Sequence, residues 1–191
     1  MIKHPEQRVG VFVDIQNMYY SAKNLYQMRV NFANILDRAV SGRKLIRALA
    51  YVIRSNNPEE QGFFDALTGQ GFAVKMKDLQ VYYDGTKKGD WDVGLAMDAV
   101  KLSEKIDVAV IVSGDGDYVP LVEYLQYTGV LVEVMAFRES ASTKLVEAVD
   151  DFTDLSQEQE WYLMKSLKRP IRYLGSMMRR GKEGEENRDN Q

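Results

Sequence analysis

Two short runs constrain this chain more than any others: Val9-Gly10-Val11-Phe12-Val13 and Val108-Ala109-Val110-Ile111-Val112 are apolar on both faces, and each runs directly into acidic residues. A strand without a polar face is buried on both sides, which means the interior of a parallel sheet covered by helices. Asp14 closes the first run, and Ser113-Gly114-Asp115-Gly116-Asp117-Tyr118 follows the second. Open α/β sheets hold their ligand crevice at the carboxyl ends of the strands, so both sets of acids belong at one end of one sheet. Crowded carboxylates repel one another and stay ionised beside a compensating charge, most simply Mg²⁺ or Mn²⁺. The pattern points to metal-dependent phosphate chemistry.

Strand and helix alternate from Val9 to Phe152. Strands are predicted over 9–13, 44–53, 72–76, 108–112 and 130–136, with 79–83 extending the third or forming a hairpin arm. Helices are predicted over 15–26, 32–40 with Asn31 as N-cap, 59–68, 91–105, 118–128 and 143–149. Right-handed crossovers then give a three-layer α/β/α, Rossmann-like domain with a mainly parallel sheet of about five strands, to which 152–155 adds a short edge. Residues 1–7 read as a leader, 8–155 as the domain, 156–174 as a helical extension with a helix over 157–168 interrupted by Pro170, and 175–191 as a disordered charged tail.

Composition removes several chemistries. Zero cysteines exclude disulfides, thiolate metal sites and a cysteine nucleophile, and suit a reducing cytoplasm. The single histidine, His4, lies in the polar leader, so a Ser-His-Asp triad or a multi-histidine metal site has little to rest on. No segment approaches the ~20 apolar residues of a membrane span, and no export signal opens the chain. The formal net charge is -3, so no global basic field argues for nucleic acid; the basic residues gather after Lys165.

Within the acidic set, Asp14 suits a metal ligand, since a carboxylate after a buried strand is costly without a partner; it also suits an N-cap of the next helix. Asn17 projects toward the same crevice. The glycines of the second block are expected to take positive φ and approach a ligand, leaving Asp115 and Asp117 near the ion, while Asp117 also suits a cap of the helix from Tyr118. Asp92 and Asp98 on the next acidic helix stand about 120° apart, so Asp92, nearest the sheet edge, is the better ligand and Asp98 orients a neighbour or pairs with a base. Lys87, Lys88 and Arg138 are candidate phosphate contacts. Tyr19, Tyr20, Tyr82, Tyr83 and Trp91 are candidate stacking surfaces for unpaired bases, or core.

Three blocks, Val11-Phe12-Val13-Asp14-Ile15-Gln16-Asn17, Lys88-Gly89-Asp90-Trp91-Asp92-Val93-Gly94-Leu95-Ala96-Met97-Asp98 and Ser113-Gly114-Asp115-Gly116-Asp117-Tyr118, resemble the NYN domain of the PIN-like superfamily, in its LabA-like branch. Leu145 to Phe152 is similar to that family's closing block. The resemblance implies a PIN-like sheet of order 3-2-1-4-5 and a Mg²⁺ or Mn²⁺ ion held by Asp14, Asp92, Asp115 and Asp117. It also implies ribonuclease chemistry, with Asn17 as a polar pocket residue and Asp98 as an accompanying acid; Ser113 is a further candidate pocket residue, and single-stranded RNA is the expected partner because a scissile phosphate must sink into a crevice. Ile15-Gln16 departs from the small residue and glutamate or glycine of many relatives. The alternative is a non-catalytic RNA-binding or regulatory protein, with 156–182 docking a protein partner. A homodimer suits either reading.

Overall fold

Side chains alternate along β1 (Arg8–Asp14), sending Val9, Val11 and Val13 into one helical layer and Phe12 into the other. A computed structural model describes residues 3–54, 59–81, 87–88 and 90–165, with the backbone alone for residues 59, 80, 81, 87 and 88. After β1 come α1 (Ile15–Tyr26), α2 (Phe32–Val40), β2 (Lys44–Arg54), α3 (Glu59–Gly69) and β3 (Ala73–Asp78). The second half supplies α4 (Asp92–Leu102), β4 (Val108–Val112), α5 (Val119–Tyr127), β5 (Leu131–Ala136), α6 (Thr143–Ala148), β6 (Asp151–Asp154) and α7 (Gln159–Tyr162).

The six strands form one sheet of order β3-β2-β1-β4-β5-β6, and every neighbouring pair is parallel. The expected order 3-2-1-4-5 is thus extended by a sixth strand on the outer edge. Residues of α1, α2, α3 and α7 pack on one face with Val108, Val110 and Val112, while α4, α5 and α6 pack on the other with Ala109 and Ile111. These are the three layers that two-sided apolar strands demand. The strand order reverses between β1 and β4, which puts a crevice at their carboxyl ends.

Helix signals act where expected. The Asn31 side chain accepts from the Asn34 amide at 3.3 Å and caps α2. Gly129, at φ 88°, ends the turn after α5 in a conformation that costs glycine little. Of the two readings of residues 79–83, the described part takes the hairpin arm, Gln80–Val81 pairing antiparallel with Lys87–Lys88, while 82 and 83 lie outside the described residues.

The helix expected over 157–168 is corrected. Leu155–Glu158 is 3-10, α7 is a single turn, and Leu163–Met164 is extended and pairs antiparallel with Arg29–Val30. Tertiary burial decides this: Tyr162 and Leu163 sink into the core, and the Asn31 amide donates to the Tyr162 carbonyl at 2.8 Å. An amphipathic pattern yields when a continuing helix would turn its apolar residues away from the core. Pro170 and the tail lie outside the described residues. No helix among the described residues is long and apolar enough to cross a membrane.

The amino edge of the sheet carries a buried ion pair. Arg43 grips Glu133 of β5 through two hydrogen bonds of 2.7 and 3.0 Å, with side chains 1% and 4% exposed, and Lys3 adds a third at 3.1 Å. Burial pushes the Glu133 carboxyl up, but the Arg43 hydrogen bonds and the two cations win and hold it below the usual glutamate range. Removing one partner leaves the other buried and unpaired. Arg43→Met is therefore expected to cost roughly 3–5 kcal/mol, and Arg43→Met with Glu133→Leu less than the sum of the single changes, measured by urea unfolding.

Candidate metal centre

Parallel pairing of β1 with β4 sets Val13 beside Val112, so Asp14 and the Ser113–Asp117 turn emerge together at the switch point. Asp14 is extended, at φ -78° and ψ 92°, and its Oδ1 accepts from the Asn17 amide at 3.0 Å. It thus caps α1, as one of its two readings expected. Asn17 then reaches across, its Oδ1 accepting the Gly114 amide at 2.9 Å. That bond ties the first turn of α1 to the turn after β4, 97 residues away.

The second turn is organised from within. Ser113 is fully buried and its Oγ accepts the Asp115 amide at 3.2 Å, while Asp115 Oδ1 accepts the Asp117 amide at 3.0 Å. Asp115, rather than Asp117, is therefore the capping residue, and it caps a 3-10 turn over Gly116–Tyr118 that precedes α5. Asp117 is left exposed at the rim. The glycines serve a purpose other than the expected positive φ. A Cβ on Gly114 would lie 3.0 Å from the Ala141 Cα, and one on Gly116 would lie 2.7 Å from Ser142 Oγ. They let the 140–141 backbone and the Ser142 side chain press against the turn.

Asp92 opens α4, and Trp91 fixes the approach by donating its indole N–H to the Val52 carbonyl at 2.8 Å. One oxygen from each of Asp92, Asp115 and Asp117 lies within 4.8 Å of the others. Asp14 stands behind this group, 8% exposed, and meets it through Tyr118. The Tyr118 Oη is 3.3 Å from Asp14 Oδ2 and 3.1 Å from Asp92 Oδ1. A phenol has one proton to donate, so it satisfies one ionised carboxylate; a second must be neutral and donate to the phenol oxygen, or be held by a cation.

The electrostatics agree. Burial pushes the Asp14 carboxyl up to about 6; the Asn17 amide and the phenol oppose this, and the charges of Asp92 and Asp115 add to it. Asp92 is also raised, first by burial and then by Asp115, Asp90 and Asp117, against the Tyr118 hydrogen bond. Burial and the charges of Asp14 and Asp92 push the Tyr118 phenol up, keeping it a donor. A compact set of hard oxygen donors short of positive charge fits a divalent cation such as Mg²⁺ or Mn²⁺.

The other sequence candidates divide. Asp98 accepts from the Tyr51 hydroxyl at 3.0 Å and pairs with Lys75 at 2.8 Å, turned toward β2 and β3 rather than the acids. Arg138 sits over the Phe152 ring at 5.6 Å on the outer edge of the sheet. The side chains of Lys87 and Lys88, and all of Tyr82 and Tyr83, lie outside the described residues. Trp91 packs on Tyr51, with centroids 5.4 Å apart. Tyr118 was not singled out by sequence reading, although it directly follows Asp117; nothing in its spacing reveals that its hydroxyl returns to β1.

The profile of the NYN domain matches residues 8–156. The chain belongs to the NYN domain family. It is 25% identical over 158 residues to the low amplitude and bright protein LabA of Synechococcus elongatus, covering 78% of this chain and 84% of LabA, which places it in the LabA-like branch. The crystal structure of a protein of unknown function from Vibrio parahaemolyticus superposes with a TM-score of 0.77 at 32% identity, covering 86% of this chain and all of that one. The NYN match begins at β1 and ends just after β6, so it contains all four aspartates.

The raised Asp14 carboxyl has a sign. A folded-state value of about 6 against 3.8 means that the folded metal-free protein binds the proton more tightly than the unfolded chain. Stability from this group is present below pH 4 and is lost as pH rises through 6, by about 3 kcal/mol at most. In EDTA, Asp14→Asn is expected to remove that loss, so its stability relative to wild type should improve between pH 4 and pH 7 in urea unfolding.

Proposed function

We propose that this NYN protein is a metal-dependent ribonuclease that hydrolyses phosphodiester bonds of single-stranded RNA. The observation that carries this reading is the convergence of Asp92, Asp115 and Asp117 at the switch point, with Asp14 behind them. Asp92, Asp115 and Asp117 would hold Mg²⁺ or Mn²⁺, and Asp14, ionised beside it, would complete the set. A divalent ion bound there supplies Lewis-acid polarisation of a phosphate oxygen and lowers the pKa of a bound water.

The chain's own residues do the rest. Asp117, exposed at the rim, would accept a proton from an attacking water. Tyr118 and the Asn17 amide hold Asp14 in one orientation, and Asn17 keeps the two turns in register. A scissile phosphate must enter a crevice at the sheet edge, which unstacked RNA does more readily than duplex.

Cleavage of end-labelled single-stranded RNA in Mg²⁺ or Mn²⁺ tests the proposal. Activity is expected to vanish in EDTA and to fall more than about 100-fold in Asp92→Asn and Asp115→Asn, since even residues supporting a metal ligand cost 10–100-fold. Mn²⁺ titration of the same variants should show weakened binding. No cleavage with either ion, or full activity in Asp115→Asn, ends the enzyme reading; RNA binding without cleavage leaves a protein that holds RNA.

A further inference from the structure

A cavity of about 100 Å³ lies between α1, α2 and α3, away from the acidic centre's helix α4. Its wall includes Tyr19, Phe32, Phe63, Gln70 and Arg29. Protein interiors are packed to crystal density, and an apolar void of this order readily accepts a planar aromatic guest. The rings are arranged around it at angles: Phe32 and Phe63 centroids are 6.1 Å apart at 58°. One cation, Arg29, and one buried acid, Glu60, belong to the lining, and a second cation stands beside it. Lys23 Nζ lies 5.6 Å from the Tyr19 ring centroid, and the Arg29 charge acts on the Tyr19 phenol. Among the described residues, no acid lies within ion-pair distance of Arg29 or Lys23.

Position links this cavity to the acids. Ile15 and Gln16, which also line it, directly follow Asp14, so the cavity and the acidic centre flank the same first turn of α1. Aromatic walls, the Gln70 amide, Arg29 in the lining and Lys23 beside Tyr19 are what a base joined to a phosphate needs. Rings stack on the base, an amide meets its edge, and cations meet the phosphate.

We propose that this cavity is a nucleobase pocket, taking one base of a single-stranded RNA against Tyr19 and Phe63 while Arg29 and Lys23 contact its phosphate. The choice of RNA as ligand rests on the ribonuclease reading of the acidic centre; the base and phosphate chemistry rests on the cavity. The pocket would select which nucleotide lies next to the scissile bond.

The test uses the full chain in EDTA, titrated calorimetrically with the four ribonucleoside 5′-monophosphates and the matching nucleosides. At least one monophosphate is expected to bind. Phe63→Ala should weaken it roughly tenfold or more, the range of a lost base stack. Arg29→Gln should weaken the monophosphate about tenfold and leave the nucleoside unchanged, because only the charged hydrogen bond is lost. Arg29 is only partly buried, so this variant carries the test even where Phe63→Ala fails to fold. Binding by none of the four, or equal binding by wild type and Arg29→Gln, overturns the proposal. Binding that appears only after removal of residues 166–191 also overturns it, and assigns the cavity to the chain's own C-terminal segment.

The two proposals fail separately. Nucleotide binding in this pattern without metal-dependent cleavage supports the pocket and sinks the nuclease. Metal-dependent cleavage whose rate and base preference are the same in both variants sinks the pocket and leaves the nuclease.

Discussion

The parallel pairing of β1 with β4 is the constraint on which the rest depends. Five consecutive residue pairs, Val9 with Val108 through Val13 with Val112, hold two fully apolar strands side by side at the centre of the sheet. Each is covered on both faces, so a slip of one residue would exchange the two packed layers at once. That register delivers Asp14 and the Ser113–Asp117 turn to the same place. It also creates the point where the strand order reverses and no crossover helix can fill the space above the sheet. The crevice is a consequence of topology, and the acids occupy it.

Asp14 and Asp92 oppose folding in their ionised forms. Asp14 is nearly sealed from water, its carboxyl is raised, and its two oxygens meet an amide and a shared phenol rather than a cation. Arg43 and Glu133 at the opposite edge of the sheet show the contrasting solution, in which a buried carboxylate is matched by a bidentate guanidinium and stays ionised. No described cation performs that service for the acidic centre. The same sheet therefore carries a compensated charge at Glu133 and an uncompensated one at the acidic centre, where the proposed metal would bind.

Much of the fold was legible because it is written in consecutive residues. The continuous apolar runs marked β1 and β4, and Asn31 marked the start of α2. Asp14 was legible twice over, as a strand-end carboxylate and as a cap, and it is a cap here. The failures are equally physical. A helix over 157–168 satisfied local pattern, but Tyr162 and Leu163 gain more by burial beside α2 and β1 than by another helical turn. Gly114 and Gly116 read as residues of unusual φ, whereas they are needed because the 140–142 segment presses on them from another part of the chain.

By itself, the sequence determined that the sheet is parallel and covered on both faces, and that its central strands end in carboxylates, since burial patterns and strand ends are properties of neighbours along the chain. Tertiary structure alone decided which oxygens meet. Asp92, Asp115 and Asp117 come together from α4 and the turn after β4, Tyr118 reaches back across 104 residues to Asp14, and Asp98 is drawn off to Lys75. The cavity beside α1 was likewise invisible, because its walls come from three helices, the β2 strand and the pairing of Arg29–Val30 with Leu163–Met164. Contacts between distant segments depend on strand register and helix packing, and one residue's identity carries neither.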